Sequence, residues 1–191
     1  MASATDVIDY WLNDVGQDGW YSTDPKVDDE IRKRFLPLWQ KAEAGGLQDW
    51  LATREGTLAY LIVTDQFSRN MFRGDGRAFA TDGLARAAAR DAIARNHDLD
   101  AAEPERVFFY MPFEHSEHIA DQDWSVALMT QRLPKTGAGF GLHARAHREI
   151  ILRYGRFPFR NAALGRDSSP AEQDFLDNGG YGALVRKVEA Q

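Results

Sequence analysis

The chain has no cysteine, which excludes disulfides, thiolate metal sites and a cysteine nucleophile, and fits a reducing compartment. It lacks an excess of positive charge: the formal net charge is −6, without the basic field that a sequence-independent nucleic-acid binder carries. No stretch approaches the ~20 consecutive apolar residues of a membrane span. Met1 to Tyr10 carries acids and no long apolar run, so it does not read as a signal peptide. Lysine is scarce, since 18 of the 23 basic residues are arginine. Run-on alternation of apolar and polar residues is missing too, so no sheet is expected. These absences point to a cytoplasmic protein with no nucleic-acid or membrane partner.

What remains suits a single helical domain over residues 1–191, with 43% apolar and 12% aromatic residues to build a core. Thr5-Asp6 can cap a first short helix ending near Gly16. Asp24-Pro25 places a cap and a first-turn proline before a helix reaching Ala44, with Gly45-Gly46 as the stop. A segment from Leu47 to Phe67 follows, which Gly56 weakens or splits. An alanine-rich helix covers 78–95, and Pro104 opens a short one interrupted at Pro112. Ser116 is expected to cap a helix to Leu133, with a loop from Pro134 to Gly141. The next helix runs from Leu142 to Tyr154 and stops at Gly155. Ser169-Pro170-Ala171-Glu172 is a capping box opening the last expected helix. Successive helices with short connections give the expected class: all-α, an irregular stack of antiparallel helix pairs.

Three polar constellations stand where such a stack should be apolar. In the first, Leu58, Leu61, Ile62, Asp65 and Arg69 share one face at 100° per residue. An acid and a base four residues apart thus continue an apolar stripe. They are either an ion pair tying helices together or one wall of a pocket, with Arg69, Asn70 and Arg73 towards a ligand. The second, Pro112 to His118, holds two carboxylates and two imidazoles at a helix break, where backbone N–H groups become available. Capping by Ser116 and Glu117 explains it equally well. In the third, His143 and His147 sit four apart, a spacing two zinc ligands can use, but no Glu follows His143 and the zinc-protease motif is missing. Six arginines lie from Arg145 to Arg166, alternating with Phe157, Pro158 and Phe159. A G/C-rich coding sequence accounts for arginine in bulk; its clustering suggests guanidinium forks directed at carboxylates or phosphates.

Blocks in these stretches resemble a bacterial family, domain of unknown function 924. They are Tyr10-Trp11, Trp20-Tyr21, Asp28, Arg34-Phe35, Asp65-Gln66-Phe67-Ser68-Arg69-Asn70, Arg73, Pro112, His115-Ser116-Glu117, His147, Gly155-Arg156-Phe157-Pro158, Arg160-Asn161, Gly165-Arg166 and Glu172. The resemblance implies an irregular helical fold like that of tetratricopeptide-repeat proteins, and no established activity. In the family the loop reads Arg-Phe-Pro-His-Arg-Asn; here Phe159 replaces that histidine. His118 and His143 lie outside the blocks.

The candidate ligand-binding residues are therefore Asp65, Arg69, Asn70, Arg73, His115, Glu117, His147, Arg156, Arg160, Asn161 and Arg166, with no metal and no cofactor called for. Asp65, Arg69, His115, His147, Arg156 and Arg160 are expected to converge. The expected ligand is a small anionic molecule or peptide. The other reading is an interaction module in which these residues form a buried structural network.

Overall fold

A computed structural model describes residues 2–190, and these contain helices and turns but no strand. The chain divides into two compact units, Met1–Pro112 and Phe113–Gln191, the boundary falling inside the one-turn helix Met111–Glu114. No helix of the described residues is long and apolar enough to cross a membrane.

In the first unit, helix α1 (Ala4–Asp9) runs on through a π-helical stretch, Tyr10–Val15. Its cap is Ser3, paired with Asp6 in a capping box, rather than Thr5 or Asp6 itself. Helix α2 spans Pro25–Glu43 with Asp24 as its cap, as the Asp-Pro pair indicates. Helix α3 (Arg54–Leu61) starts after a short 3-10 turn, Gln48–Ala52. The break expected at Gly56 lies at Thr53, whose hydroxyl accepts the Gly56 N–H at 3.1 Å. Gly56 serves a different end: a Cβ there would collide with the Trp50 carbonyl oxygen, so its absence lets helix and turn close up.

Helix α3 continues without interruption into a π-helical segment, Ile62–Phe67, and a last turn, Ser68–Met71. Hydroxyls attend the wide turns. Thr64 Oγ1 donates to Tyr60 O, Ser68 Oγ to Thr64 O, and Thr81 Oγ1 also to Thr64 O. Helix α4 covers Asp82–Ala94. The core is aromatic: Phe67 lies 5.3 Å from Trp11 and 4.9 Å from Phe35, while Trp20 lies 4.7 Å from Phe108. Burying each such ring contributes roughly 1.5–3 kcal/mol. The Trp20 indole also donates to Trp11 O at 2.8 Å.

In the second unit, α5 (Ile119–Arg132) and α6 (Gly137–Tyr154) form a helical hairpin over a four-residue connection. Both start away from their expected positions. The residue before α5 is His118, because the Ser116 hydroxyl accepts the His118 N–H and donates to Asp121, closing a local turn instead of capping the helix. Helix α6 begins at Gly137, which shortens the expected loop. It ends at Gly155, whose φ of 69° only glycine adopts without strain. The Ser169 capping box opens α7 (Pro170–Asp177), as expected. A further helix, α8 (Gly180–Glu189), was not expected. Its Leu184 joins Ile150, Ile151 and Phe157 in the core, with Phe175, Tyr181 and Val188 packed around them.

Candidate functional site

The candidate residues fall into two groups, one within each unit. In the first unit they pair with one another and with neighbouring helices. Asp65, within the π-helical stretch of α3, lies 3.3 Å from Arg69 Nη1, and Arg69 also donates to the Asp65 carbonyl at 2.5 Å. The same guanidinium reaches Asp82 at the start of α4, at 3.1 and 3.2 Å. Arg69 therefore bridges two carboxylates on two elements. Asn70 donates to Asp28 of α2 at 2.7 Å, and Arg73 grips both oxygens of the same carboxylate. Asp65 and Asp28 are buried, so each negative charge is compensated where water cannot screen it. Asp28 and Asp82 are absent from the candidate set, being 45 and 13 positions from their arginines. Helical spacing carries no signal for such pairs.

Two further pairs hold the arginine-rich loop of the second unit. Arg156 is bidentate to Glu172, at 2.6 and 2.8 Å, and donates to Asp167 O. Those bonds, with the Ser169 N–H, hold the Glu172 carboxyl far below the usual carboxylate range. Arg166 is bidentate to Glu117, at 2.8 and 3.0 Å, and donates to Asn161 Oδ1 and Phe157 O. Glu117 also accepts the Phe157 N–H at 2.9 Å. Burial pushes the Glu117 carboxyl up, but Arg166 and that N–H outweigh it and leave it lowered. Asn161 donates to Ser168 Oγ. The loop is thus pinned at both ends and in its middle.

A different arrangement surrounds His147. Its Nδ1 lies 2.8 Å from Glu114 Oε1 and 3.0 Å from the carbonyl of His143, one helical turn back. Both neighbours are acceptors, so Nδ1 carries a proton, and in the neutral form of the ring Nε2 is the nitrogen with the lone pair. Nε2 makes no hydrogen bond with the described residues, and the side chain is 13% exposed. Glu114 is only 4% exposed. Burial raises its carboxyl, but His147, by charge and hydrogen bond, with His115 and His143 behind it, brings it below its ordinary value.

The rings of His115 and Tyr181 stand 6.1 and 4.7 Å from that of His147. The Tyr181 hydroxyl is 2.6 Å from His143 Nδ1. Phe157 packs its edge at 5.4 Å, and Phe159, 43% exposed, stacks on Phe157. Arg160 is buried, lies 4.4 Å over the Phe157 ring and donates to the His115 carbonyl at 3.0 Å. It positions the segment bearing His115. Gln122 of α5, fully buried, donates to the carbonyls of Glu114 and Ser116 at 2.5 and 2.6 Å. Among the described residues no three His, Asp or Glu side chains are grouped to hold a metal ion.

Gln122 and Tyr181 are site residues that sequence reasoning passes over, and Glu114, noted within the second constellation, is not among the candidate ligand-binding residues. Gln122 carries a legible signal, a polar residue in register with buried Ser125 and Met129 on one face of α5. Glu114 sits between Phe113 and His115 at a break, where periodicity says nothing. Tyr181 depends on α8.

No curated protein matches the chain. A solved structure, that of a protein of unknown function, ATU0120 from Agrobacterium tumefaciens, is 41% identical, with a TM-score of 0.85 over 92% of this chain and 97% of that one. A family model matches residues 7–180, and the chain therefore belongs to the bacterial proteins of unknown function DUF924.

Proposed function

We propose that the second unit binds a small anionic molecule beside His147 and exchanges a proton with it, His147 being the base. The observation that carries this reading is the buried Glu114 carboxylate on Nδ1 of an imidazole whose Nε2 is unengaged. A carboxylate there fixes the tautomer and stabilises the imidazolium that forms when Nε2 accepts a proton. The protonated imidazole in turn outweighs the effect of burial and holds the Glu114 carboxyl below its ordinary value. His115, Tyr181 and Phe159 are the rings beside this imidazole, and Phe159 offers the anion an apolar flank. The enzyme reading rests on this dyad alone.

The test is a thermal-shift screen of the protein against carboxylate and phosphate metabolites, repeated with His147→Gln. A ligand at 100 times its Kd adds ~2.7 kcal/mol to the native state. That shift should vanish in the variant while the unliganded melting temperature moves little. A shift that survives His147→Gln refutes the reading, as does the lack of any hit.

A second reading is an interaction module of tetratricopeptide-like helix pairs. It is favoured by the internal use of Arg69, Arg73, Arg156 and Arg166, each matched to a carboxylate of its own unit. On that reading the motif is scaffold, and a peptide partner would bind elsewhere.

A further inference from the structure

The helices α6 and α8 reverse the charge of the chain. Together they carry five Arg and Lys side chains against two carboxylates, on a protein whose net charge is −6. Between them lies a cleft of about 500 Å³, a volume in the range of small-molecule sites. Its apolar side is Leu184 and Val188, and its rim carries four cations, Arg145, Arg148, Arg153 and Lys187, against two carboxylates, Glu149 and Glu189.

These cations are not equivalent. Arg148 is committed to Asp123 at 2.5 Å and Arg153 to Glu149 at 2.7 Å. Arg145 and Lys187 have no acidic partner among the described residues, though they come from different helices and line the same cleft. An arginine fork and a flexible ammonium over an apolar floor suit oxyanion groups on a short organic body. The cleft residues are distinct from the His147 group, although both are built on α6 and α8.

We propose that this cleft is a binding site for a small organic polyanion, one with at least two carboxylate or phosphate groups, held by Arg145 and Lys187. Size favours such a molecule over a peptide, which would need a longer groove. The inference stands apart from the His147 reading.

The experiment is calorimetric titration of the full chain with citrate and, separately, pyrophosphate. Wild type is compared with Arg145→Ala/Lys187→Ala and with Lys26→Ala/Lys41→Ala, which removes the same charge from exposed positions on α2. Both cleft residues are exposed, so the cleft variant is expected to fold, and its melting curve verifies that. Saturable binding of at least one probe is expected, weakening as salt rises from about 50 to about 300 mM. The affinity should fall about tenfold or more in the cleft variant, since two charge-assisted contacts are lost. The α2 variant should bind as wild type does. Which probe binds more tightly tells carboxylate from phosphate. Binding unaffected by the cleft variant, binding weakened equally by the α2 variant, or no binding of either probe overturns the proposal.

Discussion

The surroundings of Asp65 in the first unit and of Glu114 in the second use buried carboxylates in opposite ways. Around Asp65 the arginines and the asparagine of the motif end on carboxylates: Arg69 spans Asp65 and Asp82, while Asp28 receives both Asn70 and Arg73. Around Glu114 the pairing stops one step short, with His147 taking the carboxylate on one nitrogen and leaving the other unengaged. A buried ion pair closed on all sides is costly to break and has no valence left for a ligand. A dyad with one nitrogen unengaged keeps a valence for a further partner. Motif residues therefore divide by what remains unsatisfied rather than by residue type.

The sharpest way to break the contrast is Asp65→Ala. It leaves the mostly buried Arg69 facing Asp82 alone and should cost about 3 kcal/mol. Urea unfolding followed by tryptophan fluorescence reads this, because Trp11, Trp20, Trp39 and Trp50 all lie in the first unit. A loss below about 1 kcal/mol would mean that this network is not structural.

A smaller effect is expected from Glu172→Gln, and it carries a pH signature. A carboxyl whose pKa is depressed by folding stabilises the native state above its ordinary value, 4.5, and loses that contribution as pH falls towards the folded value. The variant should melt a few degrees below wild type at neutral pH. The gap should hold down to about pH 5 and close progressively in more acidic buffer. A gap that widens on acidification would show that Arg156 does not hold Glu172 as a carboxylate.

The smallest change is expected from Phe159→His, which restores the histidine usual in the family's loop. Phe159 is partly exposed and stacked on Phe157, so the substitution should stay within about ±0.5 kcal/mol of wild type. If His147 works without that imidazole, the ligand-induced shift should also be unchanged. A marked gain in ligand response would transfer the proton-handling role to position 159.

Features written in adjacent residues were legible in the sequence. The cap and proline at Asp24-Pro25, the box at Ser169–Glu172 and the glycine stop at Gly155 are all local chemistry, and all stand in the fold. The all-helical class followed from them. Helix α8 was illegible because Gly179, Gly180 and Gly182 argue against a helix. Packing of Leu184 and Val188 on α6 prevails over that propensity. The start of α5 misled for a related reason, since the Ser116 hydroxyl is consumed by Asp121. Within the site, His115 and His147 stood out as imidazoles at a break and on an apolar face. Their meaning depended on Glu114, which lies 33 positions from His147 and is invisible to any rule of helical spacing.

The Arg156–Glu172 pair has a meaning beyond electrostatics. Its members are sixteen positions apart, and the chain between them holds Phe157, Arg160, Asn161 and Arg166. Drawing the ends of such a segment together costs chain entropy on the order of 2.5 kcal/mol in a flexible chain. The capping box reduces that freedom beforehand by fixing Glu172 in the first turn of α7. The clasp thus turns a glycine- and proline-bearing stretch into a preformed ring of backbone. Arg160 can then keep its hold on the His115 carbonyl with the ordering of the loop already met by folding.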